Sequence, residues 1–150
     1  MTLLRDNLAE LTSYGLVSLA VLIIGFAGLD LVTPGSLRSL VWRDNSRTAA
    51  VLAVAQVIGL TVALTAAINA SIGLELWRGV LYTVLYGLVS VALMMFSFVL
   101  IDLLTPGRLG AVLLGRDTET TESKGQLHPA VWVNAATFVA LGFFVSAALG

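Results

Sequence analysis

Three observations predict an all-α integral membrane fold with four transmembrane helices. The 150 residues are 58 % hydrophobic and only 11 % charged, with a mean hydropathy of +0.97, far from the balance of a water-soluble domain. Four stretches, Tyr14–Thr33, Thr48–Asn69, Val80–Thr105 and Ala130–Leu149, reach the roughly 20 apolar residues needed to cross a hydrocarbon layer ~30 Å thick. None alternates with the period of a barrel strand, and only a helix satisfies its own backbone in lipid, so each span is helical. The chain, 1–150, is one membrane domain whose first partner is the bilayer.

The elements follow in order. The first span comes after a mixed-charge segment with Arg5, Asp6 and Glu10 and runs to Asp30 without a small-residue cleavage pattern, so it reads as a retained helix and not a signal peptide. Thr33-Pro34-Gly35 ends it: proline disfavours helical geometry at the residue before it, and threonine is a good N-cap for a new helix. Leu37, Leu40 and Val41 then recur at helical spacing with Arg38 opposite, which predicts a short interfacial helix. The second span carries Ala55, Gly59, Ala63 and Ala67 at four-residue intervals, and the fourth carries Gly142, Ser146 and Gly150. Such small-residue faces let membrane helices approach closely. Helix packing is the reading, in this chain or against another copy.

The third span copies the first. At an offset of 72, Tyr14-Gly15-Leu16-Val17-Ser18 meets Tyr86-Gly87-Leu88-Val89-Ser90, and Asp30-Leu31-Val32-Thr33-Pro34-Gly35 meets Asp102-Leu103-Leu104-Thr105-Pro106-Gly107. Residues 14–35 and 86–107 are identical at twelve of 22 positions. At an offset of 83, Gly59 meets Gly142 and Ala63 meets Ser146. Repeat one spans 14–70 and repeat two 86–150, the extra 11 residues being absorbed in the second inter-span loop around the polar stretch Thr118–Gln126. A second interfacial helix is expected after Thr105, on Leu109, Val112 and Leu113. Two spans per unit make the repeats parallel, related by an axis along the membrane normal.

Arg38, Arg43 and Arg47 lie in the loop from Pro34 to Arg47, and Arg108, Arg116 and Lys124 in the loop from Pro106 to Pro129, six of the eight basic residues. The positive-inside rule puts both loops in the cytoplasm and both termini outside. Trp42, Trp77, Trp132, Tyr14 and Tyr82 sit near span ends, where aromatic belts belong.

Asp30 and Asp102 are the acids inside apolar runs, each with a phenylalanine four residues earlier, Phe26 and Phe98. Ionisable residues at membrane depth are costly and suggest function, here a two-carboxylate site for a cation or proton. The competing reading is interfacial: with three residues between it and a proline that ends the span, either side chain can reach headgroups or an arginine of the following loop. Gln56, Thr61, Thr65 and Asn134 are polar at membrane depth, where interhelical hydrogen bonds are the usual role and a polar pathway the rarer one.

Other chemistry finds no footing. Without cysteine, and with His128 as the one histidine, no zinc or thiolate site can be assembled. No Lys-Ser/Thr follows the glycines of Thr-Pro-Gly, and no Gly-x-Ser-x-Gly elbow is present, so phosphate-loop and serine-hydrolase readings fail. No enzyme, cofactor or metal is expected. With a net charge of −1 and no cationic stripe, nucleic acid is excluded as a partner.

The doubled Tyr-Gly-Leu-Val-Ser and Asp-Leu-x-Thr-Pro-Gly segments, with Ile58-Gly59-Leu60-Thr61-Val62-Ala63-Leu64, resemble the YjfL-like family of small bacterial inner-membrane proteins, and the likeness covers nearly the whole chain. The resemblance implies a tandem two-helix unit in the bacterial cytoplasmic membrane and supplies no activity; after Gly107 the second copy departs from the pattern. Two functions stay open. One is a small channel-like or transport-associated protein for a cation or protons, and the other is a structural or accessory subunit that assembles with itself or with a partner complex.

Overall fold

The computed structural model describes residues 2–33, 37–43, 47–104 and 129–150. They form five helices: α1 (Thr2–Val32), α2 (Leu37–Trp42), α3 (Arg47–Ser71), α4 (Leu76–Leu104) and α5 (Pro129–Leu149), with no strand among the described residues. The four long ones are long and apolar enough to span a membrane.

Three boundaries follow the hydropathy reading closely. The fourth does not. The helix of the first span begins at Thr2, twelve residues before Tyr14, because seven of the twelve residues of the mixed-charge segment are Leu, Ala, Glu or Arg, all strong helix formers. At 31 residues α1 is about 46 Å long, so it overshoots the hydrocarbon layer, and its first three turns stand exposed beyond the bundle. Leu4, Leu8 and Leu11 on this extension are all more than half exposed.

Between α1 and α3 lies the short helix α2, where an interfacial helix is expected. Its equivalent after Thr105, together with Arg108, Arg116, Lys124 and His128, lies outside the described residues. Thr33 does not cap α2 as its position suggests. Its hydroxyl and its amide both donate to the Leu29 carbonyl, at 2.8 and 2.9 Å, and finish α1 instead. The turn from α3 to α4 is tight: Gly73 takes φ = +96°, a value that only a residue without Cβ adopts freely, and Leu74 N–H donates to Ser71 O.

Residue pairings give the topology. Along α1, Tyr14 approaches Gly79, Val21 approaches Gly87, and Gly25 and Gly28 approach Val91 and Met95, so α1 and α4 run parallel. Gly79 near Ser71, Gly87 near Leu64 and Gly59 near Met94 make α3 antiparallel to both. The most extensive interface joins α3 to α5, and α3 and α4 form the middle of the bundle, with α1 and α5 flanking them. The core is Val21 and Leu29 of α1, Leu52, Leu60 and Leu64 of α3, Met94 and Phe98 of α4, and Val131 and Phe138 of α5, all nearly inaccessible. Phe98 stacks on Phe138 with ring centroids 6.4 Å apart.

Candidate functional site

The small-residue faces meet inside this chain. A Cβ added at Gly142 would lie 2.7 Å from the Gly59 Cα and strike the Gly59 carbonyl oxygen, and one added at Gly59 would strike the Phe138 carbonyl. Only two glycines let α3 and α5 touch backbone to backbone. Ala55, Ala63 and Ala67 are buried on the same face of α3, while Ser146 is half-buried on α5 and accepts the Gly150 amide. The contact makes a crossing with a groove along the helices on each side of it. Toward α2 the groove is apolar, between Ala50–Ile58 and Trp132–Phe143. Toward the other end it is partly polar, lined by Thr61, Thr65, Asn69 and Ser146.

The four membrane-depth polar residues divide two against two. Thr61 and Thr65 are exposed, and each hydroxyl donates to the carbonyl one turn back in α3, Val57 O at 2.7 Å and Thr61 O at 2.8 Å. Their short side chains reach their own helix before a neighbour. Gln56 is different: it is buried, and its Nε2 donates 2.6 Å to Gly25 O, an interhelical bond from α3 to α1. Its Oε1 has no partner. Asn134 is fully buried with neither amide atom partnered, and Ser18 Oγ is likewise buried and unpaired. Such groups are costly in a low-dielectric interior, and each calls for an explanation.

Asp30 and Asp102 are both half-buried, at the same end of the parallel helices α1 and α4. Asp30 turns toward α2: its Oδ1 accepts the Arg38 backbone N–H at 2.8 Å, and it lines a cleft of about 280 Å³ with Arg38, Ser39, Trp42 and Arg43. Asp102 is not among the residues lining that cleft. No group of three or more His, Cys, Asp or Glu side chains suited to a metal occurs among the described residues.

Two buried polar residues absent from the sequence reading, Ser71 and Thr83, meet at the far end. Thr83 donates to Gly79 O at 2.9 Å and to Ser71 Oγ at 3.4 Å, and Ser71 donates to Ala67 O, all buried. Ser90, the copy of Ser18, donates to Tyr86 O. Ser18 and Ser90 stood in the duplicated motif, which offered a signal; Ser71 and Thr83 sit near span ends and offered none. The tryptophans Trp42, Trp77 and Trp132 are exposed near helix ends, and Trp77 donates to Glu75 while the Arg78 guanidinium lies 5.3 Å from its ring centre.

Four apolar helices around a packed core, without strands among the described residues, define a multi-pass transmembrane protein. Its family is shown by comparison: residues 3–149 match the Domain of Unknown Function (DUF350), and the chain belongs to that family. It is also similar to UPF0719 transmembrane proteins of Mycolicibacterium paratuberculosis, Mycobacterium bovis and Mycobacterium tuberculosis. Each is 37 % identical over 136 residues, covering 91 % of this chain and 83 % of the relative. No solved structure matches it.

Proposed function

We propose that the protein conducts protons, or a small cation, along buried polar groups between its helices, with Asp30 and Asp102 at the α2 end. What supports the reading is the unspent hydrogen-bonding capacity in the core: Asn134, Gln56 and Ser18 each bury a polar atom that nothing answers. Measured along their own helices, Asn134 and Gln56 lie about 7 and 13 Å from the α2 end, Ser18 about 21 Å, and Thr83 near the opposite end. Polar groups thus recur at successive depths about 6 to 10 Å apart, and the conduction reading places water between them, since buried water is retained where two or more polar partners converge. In this reading the α2 end, with Arg38, Arg43 and Arg47, faces the cytoplasm of a bacterial inner membrane. The wider likeness to the YjfL-like proteins belongs to the same proposal.

Proton flux into dye-loaded liposomes tests it. Flux falling about tenfold in Asn134→Leu and in the Asp30→Asn, Asp102→Asn pair is expected, and flux equal to the parent in both sinks the reading. The other role, a non-enzymatic structural subunit assembling with itself or a partner complex, is favoured by one observation, that Asp30 is spent on holding α2. Purification in mild detergent at native expression would favour it if a second protein, or a defined oligomer, ran with the chain while flux stayed at background.

A further inference from the structure

The apolar groove beside the Gly59–Gly142 contact has the dimensions of a lipid tail. It encloses about 830 Å³ and is walled by Ala50, Val54 and Ile58 of α3 and by Trp132, Ala136 and Phe143 of α5. Along α3 it extends eight residues, about 12 Å, and along α5 eleven residues, about 16 Å. One leaflet's share of a ~30 Å hydrocarbon layer is ~15 Å. The groove thus begins at the α2 end and stops near the bilayer midplane, where the glycine contact closes it. Beyond the contact the groove turns partly polar, with Thr61, Thr65, Asn69 and Ser146, so its apolar part matches the length of an acyl chain in one leaflet and not that of a whole transmembrane helix.

A basic residue stands at the mouth. Arg47, the first residue of α3, is exposed and stands three, four, seven and eight residues before the groove residues Ala50, Val51, Val54 and Ala55, so it shares their helix face. Side chains lean toward a helix N-terminus, which carries its guanidinium away from the groove to headgroup level. Trp132 stands across the mouth on α5, more than half exposed, as an amphipathic ring does at that depth. We propose that this groove is a binding site for an anionic phospholipid of the α2-side leaflet, its acyl chain between α3 and α5 and its phosphate at Arg47.

The test uses Trp132 as its own reporter. In a full-length chain carrying Trp42→Phe and Trp77→Phe, Trp132 is the one tryptophan left. The protein is placed in phosphatidylcholine vesicles doped with a lipid brominated on its chains, either phosphatidylglycerol or phosphatidylcholine, and quenching is measured against mole fraction. Brominated phosphatidylglycerol should quench Trp132 at about fivefold lower mole fraction than brominated phosphatidylcholine, the preference one basic residue contributes at the surface. Arg47→Gln should bring the ratio close to one and Arg47→Lys should keep it. Ala140→Phe, which fills the groove from α5, should weaken quenching by both lipids. Equal quenching by the two lipids, a ratio unchanged in Arg47→Gln, or full quenching in a folded Ala140→Phe protein would overturn the proposal. Trp132 shielded from both lipids would overturn it too, and would mean that a second copy or another protein covers the groove.

Discussion

Replacing Gly142 by alanine adds one methyl group where the structure leaves least room. That methyl would sit 2.7 Å from the Gly59 Cα and 2.8 Å from its carbonyl carbon, and the obstacle is backbone, so no rotamer change relieves it. To reach ordinary carbon–carbon contact near ~3.5 Å, α3 and α5 must separate by about 0.8 Å. A gap of that size forfeits a quarter to a half of the dispersion energy of each contact along the interface, and overpacking of this kind costs about 1–3 kcal/mol. Alanine returns up to about 1 kcal/mol of helix propensity. The net loss against the parent is therefore up to about 2 kcal/mol, as much as a roughly thirtyfold shift of the unfolding equilibrium. Reversible unfolding in mixed micelles, followed by circular dichroism, reads it directly. Gly15→Ala is the internal control, because nothing lies within 4 Å of its added methyl and only the propensity gain remains, so it should be as stable as the parent or more so. The double variant Gly59→Ala, Gly142→Ala should cost less than the sum of the single ones, since one separation relieves both clashes. A Gly142→Ala protein as stable as Gly15→Ala would refute the backbone contact, and with it the groove geometry on both sides.

Asn134→Leu removes a buried amide that bonds no protein atom; with the bridging water of the conduction reading it should lower both proton flux and, by about 1 kcal/mol in the same unfolding assay, stability, whereas a gain in stability would mean that the amide is dry and would refute the water-bridged path. Asp30→Leu should expose the Arg38 amide, with hydrogen exchange there about fivefold faster for a lost cap of about 1 kcal/mol, whereas Asp30→Asn keeps an acceptor oxygen and should leave it protected. Because the chain has no cysteine, single substitutions Arg43→Cys and Arg78→Cys give clean labelling, and an impermeant maleimide should reach them from opposite sides of the membrane; labelling from one side would refute an odd number of crossings between them.

The spans were legible because they rest on bulk properties, length and hydropathy, that local detail does not disturb. The start of α1 was not, since Arg5, Asp6 and Glu10 suggest an interface, while helix propensity carries the coil past it. The small-residue face of α3 was readable from strict spacing at Ala55, Gly59, Ala63 and Ala67. Gly25, Gly28 and Gly87 were not readable as contact sites, because they follow no such spacing and their partners are large side chains, Leu60, Met95 and Val21, that settle into the notches. Asp30 stood out from composition alone, but its partner, a backbone amide eight residues ahead, depends on the path of the chain between α1 and α2. Gln56 could be picked out as a polar residue in lipid. That Gly25 would present it a carbonyl follows only from how α1 and α3 cross.

Duplication of the sequence has not produced equal environments, and that inequality bears on where chemistry can occur. Gly15 and Gly87 are paired by the repeat, yet the first is open and the second is wedged against Val21 and Leu64. Tyr14 approaches Gly79, while its copy Tyr86 stacks on Tyr82 at 6.1 Å. Phe26 is half-buried, whereas Phe98 is fully enclosed against Phe138. The cause is position: α4 lies in the middle of the bundle beside α3, and α1 lies at its flank. Two copies of one motif, placed in unequal surroundings, no longer act as interchangeable halves. Ser18 is left without a partner while Ser90 bonds its own helix, so among the described residues the orphaned polar atoms fall in α1, α3 and α5 and not in α4. If protons move through this bundle, their route follows those three helices, and Ser90→Ala should leave flux intact where Ser18→Ala lowers it.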